Sequence, residues 1–335
     1  MTVPASDASA SSRPDTGSEP GDAHTSAPLR IVSLIASATE ILNGLGYFDR
    51  LVGVSHECDY PAGVHDLPRL SRPKVDPQAS SADIDVGVRE LVRDGLSVYA
   101  VDVEELQRLA PDVIVTQDHC EVCAVSLADV EDALCAIDLP DTRVVSLHPR
   151  DMDDVRTDFR KVAGALGDPE AGERLVAEMD GRIAAVASSS ARLERPRVAL
   201  IEWLAPPMVA GGWMPDLTRA AGGEPIIVTD SKHFETVDWQ RLADEDPDAV
   251  GVVPCGFGVD RTMKELNDAE IRAGLMQIRA VREGNLRVLD GNAYFNRPGP
   301  RLADSTELLA AALHPQRFPD FAERYGPFIR AVPLG

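Results

Sequence analysis

Short apolar runs alternate along this chain with segments of helical spacing. Residues 30–35, RIVSLI, are a continuous apolar run of the kind a buried strand shows, and SATEILNGLG follows as a helix. Ser37 or Thr39 stands near the start of that helix, and Gly44 and Gly46 close it. LVGVS (51–55) reads as a second strand, stopped by Asp59-Tyr60-Pro61. VEELQRLAPDVIVTQ (103–117) reads as helix, Pro-Asp break and strand; LADVEDALCAI (127–137) reads as a helix and RVVSL (143–147) as a strand. Short apolar strands alternating with helices predict a parallel α/β sheet.

From Asp151 the period changes. Val155, Phe159, Val162, Ala163 and Leu166 recur at helical spacing, and AGERLVAEMDGRIAAVASSSARL continues the pattern after Gly167-Asp168-Pro169. Strand and helix then alternate again: RVALIEW (197–203), MPDLTRAAGG (214–223), PIIV (225–228), LRVLDG (286–291) and a closing helix PRLADSTELLAAALH (300–314). WQRLADEDPDAVGVVPC (239–255) repeats the helix, Pro-Asp, strand unit of 103–117, which points to two lobes of related design. The expected organisation is a disordered tail (1–28), an N-terminal α/β lobe (29–150), a linking helix (151–193) and a C-terminal α/β lobe (194–335).

Composition narrows the picture. The 335 residues are 44% hydrophobic, enough for large cores. Thirty-three basic against 55 acidic residues leave a net charge of −22, with only four Lys. No basic stripe exists, so nucleic acid is not an expected partner, and an anionic membrane surface would repel the chain. The five cysteines, Cys58, Cys120, Cys123, Cys135 and Cys255, are an odd number in a long chain and fit a reducing compartment better than a disulfide scaffold. No run reaches the length of a membrane span. The opening residues carry no basic leader before an apolar core and no lipobox cysteine, so the sequence as given reads as cytoplasmic, and as extracytoplasmic if its start is misassigned.

RIVSLIASATEILNGLG, LVGVS and CDYP near the start, then LAPDVIVTQ, GGWMPDLTRAAGGEPI, DEDPDAVGVVPCGF and GNAYFNRPGPRLADSTELLAAALHP, occur in the order and spacing of a known family. Over about residues 30–315 the chain resembles the class III periplasmic-binding-protein fold of cobalamin and ferric-siderophore ABC importers. It is most similar to the cobalamin-binding branch, with HECDYP and DHCEVCAVS resembling a leaderless subgroup. The resemblance implies two parallel-sheet α/β lobes joined by a long rigid helix, with a ligand cleft between them. It also implies an acidic docking residue on each lobe for the arginines of a permease. The first falls on Glu104; the second falls on Gln240, which cannot form the same charge-assisted bond, with Glu235, Asp238 or Asp244 nearby.

In open α/β sheets ligands lie beyond the carboxyl ends of the strands. The residues there are His56, Glu57, Cys58, Asp59 and Tyr60; Asp118, His119, Cys120, Glu121 and Cys123; Glu202 and Trp203; Cys255 and Phe257; and Asn292, Tyr294, Phe295, Asn296 and Arg297. Two readings compete. In the first, the cleft holds a corrinoid: Trp203, Trp213, Phe257, Tyr294 and Phe295 supply apolar faces, some of which would instead be lobe core. Asn292, Asn296 and Arg297 then bond the ligand's amides or phosphate. His56, Cys58, Tyr60, Asp118 and Glu202 complete the candidate lining. In the second, Cys120-x-x-Cys123 is half of a metal or redox site completed by His56, Cys58 or Cys255, holding zinc or ligating a corrinoid cobalt. Inert thiols at a strand–helix turn are the structural alternative. Cys135 and Trp239 are expected to be helix core, and His233 an exposed loop residue.

No nucleophile–base set, phosphate loop or HExxH appears, so no enzymatic activity is expected. The expectation is a monomeric binding protein for a cobalamin-like corrinoid, with an ABC permease as candidate partner and no required cofactor. The alternatives are a cytosolic thiol- or metal-dependent enzyme or metallochaperone, and a ferric-siderophore or haem binder. Arg297 is the clear basic candidate among acidic neighbours, which disfavours an anionic ligand.

Overall fold

The computed structural model describes residues 28–94, 96–118, 125, 127–136, 141–228 and 234–333. The N-terminal tail, His119, Cys120, Glu121, Cys123 and His233 lie outside the described residues. In chain order the strands are β1 (Ile31–Ser33), β2 (Leu51–Val54), β3 (Ser71–Pro73), β4 (Tyr99–Val101), β5 (Val113–Gln117), β6 (Arg143–Leu147), β7 (Arg197–Leu204), β8 (Pro207–Ala210), β9 (Glu224–Pro225), β10 (Phe234–Thr236), β11 (Ala249–Val252), β12 (Leu286–Leu289) and β13 (Ile329–Ala331).

The first lobe is built on an all-parallel sheet in the order β2-β1-β5-β6, and β3 pairs antiparallel with β4 beside it. The second sheet runs β10-β8-β7-β11-β12-β13, with β9 on β7. Its centre is parallel, but β8 and β13 run against it and the β7–β8, β8–β10 and β12–β13 pairs are antiparallel, so this sheet is mixed rather than purely parallel. The reason is local: only Ala205 and Pro206 separate β7 from β8, too few residues for anything but a hairpin. Of the apolar run PIIV only Pro225 joins a strand. The helix Ser81–Arg93 and the β3–β4 pair fill the stretch between residues 61 and 102, where the periodicity marked no element.

The repeated unit is real in detail. Asp102 and Asp238 cap the helices Val103–Leu109 and Trp239–Asp244, accepting from the N–H of Glu105 and Arg241. Leu106 and Leu242 are both fully buried. Ala110 and Asp246, each directly before the proline, both take left-handed φ, 41° and 46°. The aspartates of the two Pro-Asp pairs then do the same job. Asp112 accepts from the Arg30 N–H at 2.7 Å and Asp248 from the Arg197 N–H at 2.9 Å, fixing the start of β1 and of β7.

Residues 151–193 hold two helices, Met152–Ala165 and Pro169–Ser190, with Gly167 turning between them at φ 81°. The second has 22 residues, about 33 Å at 1.5 Å per residue. The first packs back on it closely: a Cβ on Gly172 would lie 2.8 Å from the Ala163 Cβ. The longer helix then packs on the second-lobe helices Met214–Ala220 and Leu302–Leu313. One buried cluster therefore runs from Ile31 and Ile41 through Phe159 and Leu175 to Trp213 and Leu308. Bending at this connector would expose that apolar surface, which holds the two lobes in one orientation. Cys135 is exposed, against expectation, because the helix Leu127–Ala136 buries Val130 and Ala133 and turns residue 135 away from that face. Among the described residues, no helix is long and apolar enough to cross a membrane.

Candidate functional site

Loops beyond the carboxyl ends of β2, β11 and β12, together with the end of β7, meet between the two lobes. Their closest joint is ionic. Arg297, 7% exposed, pairs both guanidinium nitrogens with the Asp59 carboxylate, donates to the Asn292 Oδ1 at 3.0 Å and lies 3.5 Å from Glu40. The Asn292 amide donates in turn to Asp59 at 2.9 Å. Arg301 binds Glu40 at 2.5 Å and stacks its guanidinium on the Tyr60 ring, 4.1 Å from the centroid. Burial alone would raise the Asp59 carboxyl and lower Arg297; their mutual hydrogen bonds override it and shift both the other way. Glu40 is 2% exposed on the helix Ala36–Gly44. A carboxylate on the buried face of an apolar helix demands a cation, and this is the signal that sequence reading passed over.

Arg297 is therefore engaged by first-lobe carboxylates rather than open to a guest. A Cβ on Gly291 would collide with the Pro254 carbonyl, so only glycine lets the loops after β11 and β12 touch here.

Next to this joint lies a second group drawn from both lobes. Glu57 and Tyr99 come from the first, Cys255 and Glu202 from the second. Cys255 is exposed as a residue, yet its thiol is walled in by surrounding protein; that enclosure, then the Glu57 and Glu202 carboxyls, pushes it up to about 12. Burial raises Glu57 to about 7 despite the pull of Arg297. Tyr99 is raised by burial, then by Glu57 and Cys255. The His56 ring lies 5.4 Å from that of Tyr99 and 2.8 Å from the Ser71 hydroxyl; burial, then Arg69, lowers it to about 4. Trp203 and Phe257 form an aromatic wall, ring centroids 5.3 Å apart, with the Arg261 guanidinium 3.9 Å from the Phe257 ring.

The other candidates separate. Trp213 and Phe295 are core, joined by the Trp213 indole N–H to the Phe295 carbonyl at 2.9 Å. Tyr294 is packed edge-on against Tyr325 and Phe328. Asn296 spends its amide on the Val253 and Gly291 carbonyls, shaping the loop. Cys58 is buried in the first-lobe core, its sulfur 3.1 Å from the Thr39 hydroxyl, and burial raises the thiol to about 11. Asp118 contacts His148 at 2.5 Å, at the ends of β5 and β6. Among the described residues, no three His, Cys, Asp or Glu side chains are placed to hold an ion, and Cys120 and Cys123, the pair that His56, Cys58 or Cys255 would complete, lie outside them.

A second seam joins the lobes where Arg261 donates to the Pro77 and Ala79 carbonyls and Glu265 accepts from the Ser81 N–H at 3.0 Å. It borders a groove of about 610 Å³ between Ser80–Val86 and Leu204–Pro207. A cavity of about 340 Å³ lies elsewhere, against Pro196, Asp248 and Asn285. These precede or begin β7, β11 and β12, so it is at the wrong end of the strands for this site.

Known proteins place this architecture. No curated protein matches the chain by sequence. A periplasmic haem-binding protein from Pseudomonas aeruginosa is similar in structure (TM-score 0.64, 24% identity, covering 86% of this chain and 94% of that one). So are the periplasmic vitamin B12 binding protein of Vibrio cholerae (0.60, 18%, 85% and 96%) and an ABC transporter substrate-binding protein from Listeria monocytogenes (0.65, 17%, 86% and 100%). At these identities the likeness establishes the fold, two α/β lobes with a cleft between them. A family profile described as "Periplasmic binding protein" matches residues 31–293. With most of its length inside that match, the chain belongs to the periplasmic binding protein family, a family of substrate-binding proteins.

Proposed function

We propose that this chain binds a cobalamin-like corrinoid in the cleft between its lobes, as the substrate-binding component of an ABC importer or as a cytosolic corrinoid-binding protein. The observation that carries this reading is the charge balance of the cleft loops. Arg297 and Arg301 are both matched by Asp59 and Glu40, and Arg261 on the Phe257 ring spends its nitrogens on the Pro77 and Ala79 carbonyls, leaving an aromatic wall of Trp203 and Phe257 beside carboxyls and a thiol. Such a surface suits a large, flat, amide-fringed guest with little net negative charge. A ferric siderophore or the propionates of haem would need a free guanidinium there. The similarity to the vitamin B12 binder agrees with this choice, and the similarity to haem binders keeps haem as the comparator.

A thiol-dependent enzyme is the weaker reading. A thiol held near 12 is almost wholly protonated at neutral pH and a poor nucleophile. For the permease, Glu104 is the docking charge, exposed on the helix Val103–Leu109. Gln240 offers no charge and bonds Asp244 at 2.8 Å, while Glu235 is held by Arg241.

The test is calorimetric titration of the purified chain with cobalamin, cobinamide and haem, with the corrinoid visible spectrum followed in parallel. Saturable heat and a spectral shift with a corrinoid are expected, with weaker binding of haem. Flat titrations with both corrinoids would remove the lead ligand.

A further inference from the structure

We propose that Glu202, with the indole N–H of Trp203, is the recognition point in the cleft for a primary carboxamide, and that the site separates amide-bearing guests from their carboxylate counterparts. This rests on the corrinoid reading and names which peripheral chemistry the cleft reads.

Glu202 is 6% exposed, and among the described residues no side-chain hydrogen bond or ion pair reaches its carboxyl. Only its backbone is engaged, the carbonyl accepting from the Cys255 N–H at 3.2 Å. The Trp203 Nε1 is also buried without a partner. A buried indole N–H left unmet is costly unless something else meets it, and the carboxyl that precedes it in the chain is free to take a partner. The β7–β8 ladder shifts register between Ile201 and Trp203, so Glu202 is the extra residue of a bulge, a feature that re-aims side chains beside sites. Glu202 also acts on the Cys255 thiol, which faces Glu57 of the other lobe.

Burial raises the Glu202 carboxyl well above the usual range, and no cation opposes it. A neutral carboxyl offers one O–H donor and one carbonyl acceptor. A primary carboxamide offers the complementary N–H and carbonyl, so the two can close a ring of two hydrogen bonds, with the Trp203 N–H as a further donor. A carboxylate in the same place could accept the O–H but has no N–H to give the carbonyl oxygen, so two acceptors would face each other, with Arg297 already taken by Asp59.

The experiment titrates the full chain calorimetrically with cobalamin and with its separated monocarboxylic acids, each having one peripheral amide hydrolysed. Wild type, Glu202→Gln, Glu202→Leu and Trp203→Phe are compared, with thermal melting as the check on folding. At least one monoacid should bind wild type about tenfold or more weakly than cobalamin. Glu202→Gln keeps a donor and an acceptor and should stay within about threefold for cobalamin. Glu202→Leu should bind cobalamin about tenfold more weakly and lose the discrimination. If Glu202→Leu does not fold, Glu202→Gln carries the test: its amide N–H can donate to a carboxylate, so the disfavoured monoacid should bind it closer to cobalamin than it binds wild type. Equal affinity of wild type for cobalamin and every monoacid overturns this proposal alone. Absence of cobalamin binding overturns the corrinoid reading and this proposal with it.

Discussion

The two lobes share a frame and differ in what they build on it. In each, an Asp-capped helix ends in a left-handed residue, a proline follows, and an aspartate ties down the start of a central strand. That frame sits at the amino ends of the strands, away from the cleft. At the carboxyl ends the lobes diverge. The first lobe contributes carboxylates, Glu40, Glu57 and Asp59; the second contributes the arginines that answer two of them, an aromatic wall and a thiol. Repetition thus supplies stability, and difference supplies the site. Two buried carboxyls make the same contrast: Asp158, on the connector helix Met152–Ala165, receives the backbone N–H of first-lobe His148 at 3.0 and 3.2 Å, whereas Glu202 in the second lobe receives nothing among the described residues.

The contrast can be broken most forcefully at the joint. Arg297→Met leaves Asp59 with the Asn292 amide and Glu40 with Arg301, and should cost about 2–4 kcal/mol in urea unfolding, below the full loss of a wholly buried pair because Asp59 is partly exposed. The double variant with Glu40→Gln should cost less than the sum of the two singles, because the pair is coupled. Additive losses would mean that the lobes are not tied there.

Asp158 sharpens the comparison through pH. Burial raises its carboxyl from 3.8 to about 7, so the native state prefers it protonated. That contribution is complete below about pH 4 and is lost as pH rises to about 7. Asp158→Asn cannot titrate, so the urea midpoints of wild type and variant should diverge across that window, the wild type falling relative to the variant by roughly 2–4 kcal/mol, and run parallel above it. Glu57 shares the window and leaves a residual slope in both proteins. Parallel curves throughout would show that Asp158 does not titrate as its burial requires.

The smallest effect tests the shared frame. Asp112→Ala and Asp248→Ala each remove a charge-assisted bond to a strand start and should cost about 1–2 kcal/mol in thermal or urea unfolding. The second should be the larger, since Asp248 also holds Arg279 at 3.1 Å. A loss at only one of the two sites would make the repeat a likeness of shape without shared energetics.

Much of this was legible before any coordinates. The apolar runs at 31–33, 113–117, 143–147, 197–204 and 286–289 are strands because Val, Ile and Leu crowd them, and the Pro-Asp punctuation marked both repeated units. The antiparallel edges of the second sheet were not legible, since Pro207-Met-Val-Ala and Ile329-Arg-Ala are too short to show a period. Within the site, position at or beyond a strand's carboxyl end singled out Glu202 and Trp203, which lie near the end of β7, and Cys255 and Phe257, which follow β11. It could not separate them from Trp213 and Phe295, whose rings turn into the core, or from Cys58, which packs on Thr39.

By itself the sequence determined the alternation of elements, the paired lobes and the residues available at the strand ends, because propensity and hydrophobic period are properties of neighbouring positions. Tertiary structure alone decided that Arg297 is spent on Asp59 and that the carboxyl of Glu202 is left without a partner among the described residues. Charge pairing and desolvation depend on which groups approach through space, and Asp59 and Arg297 stand far apart along the chain.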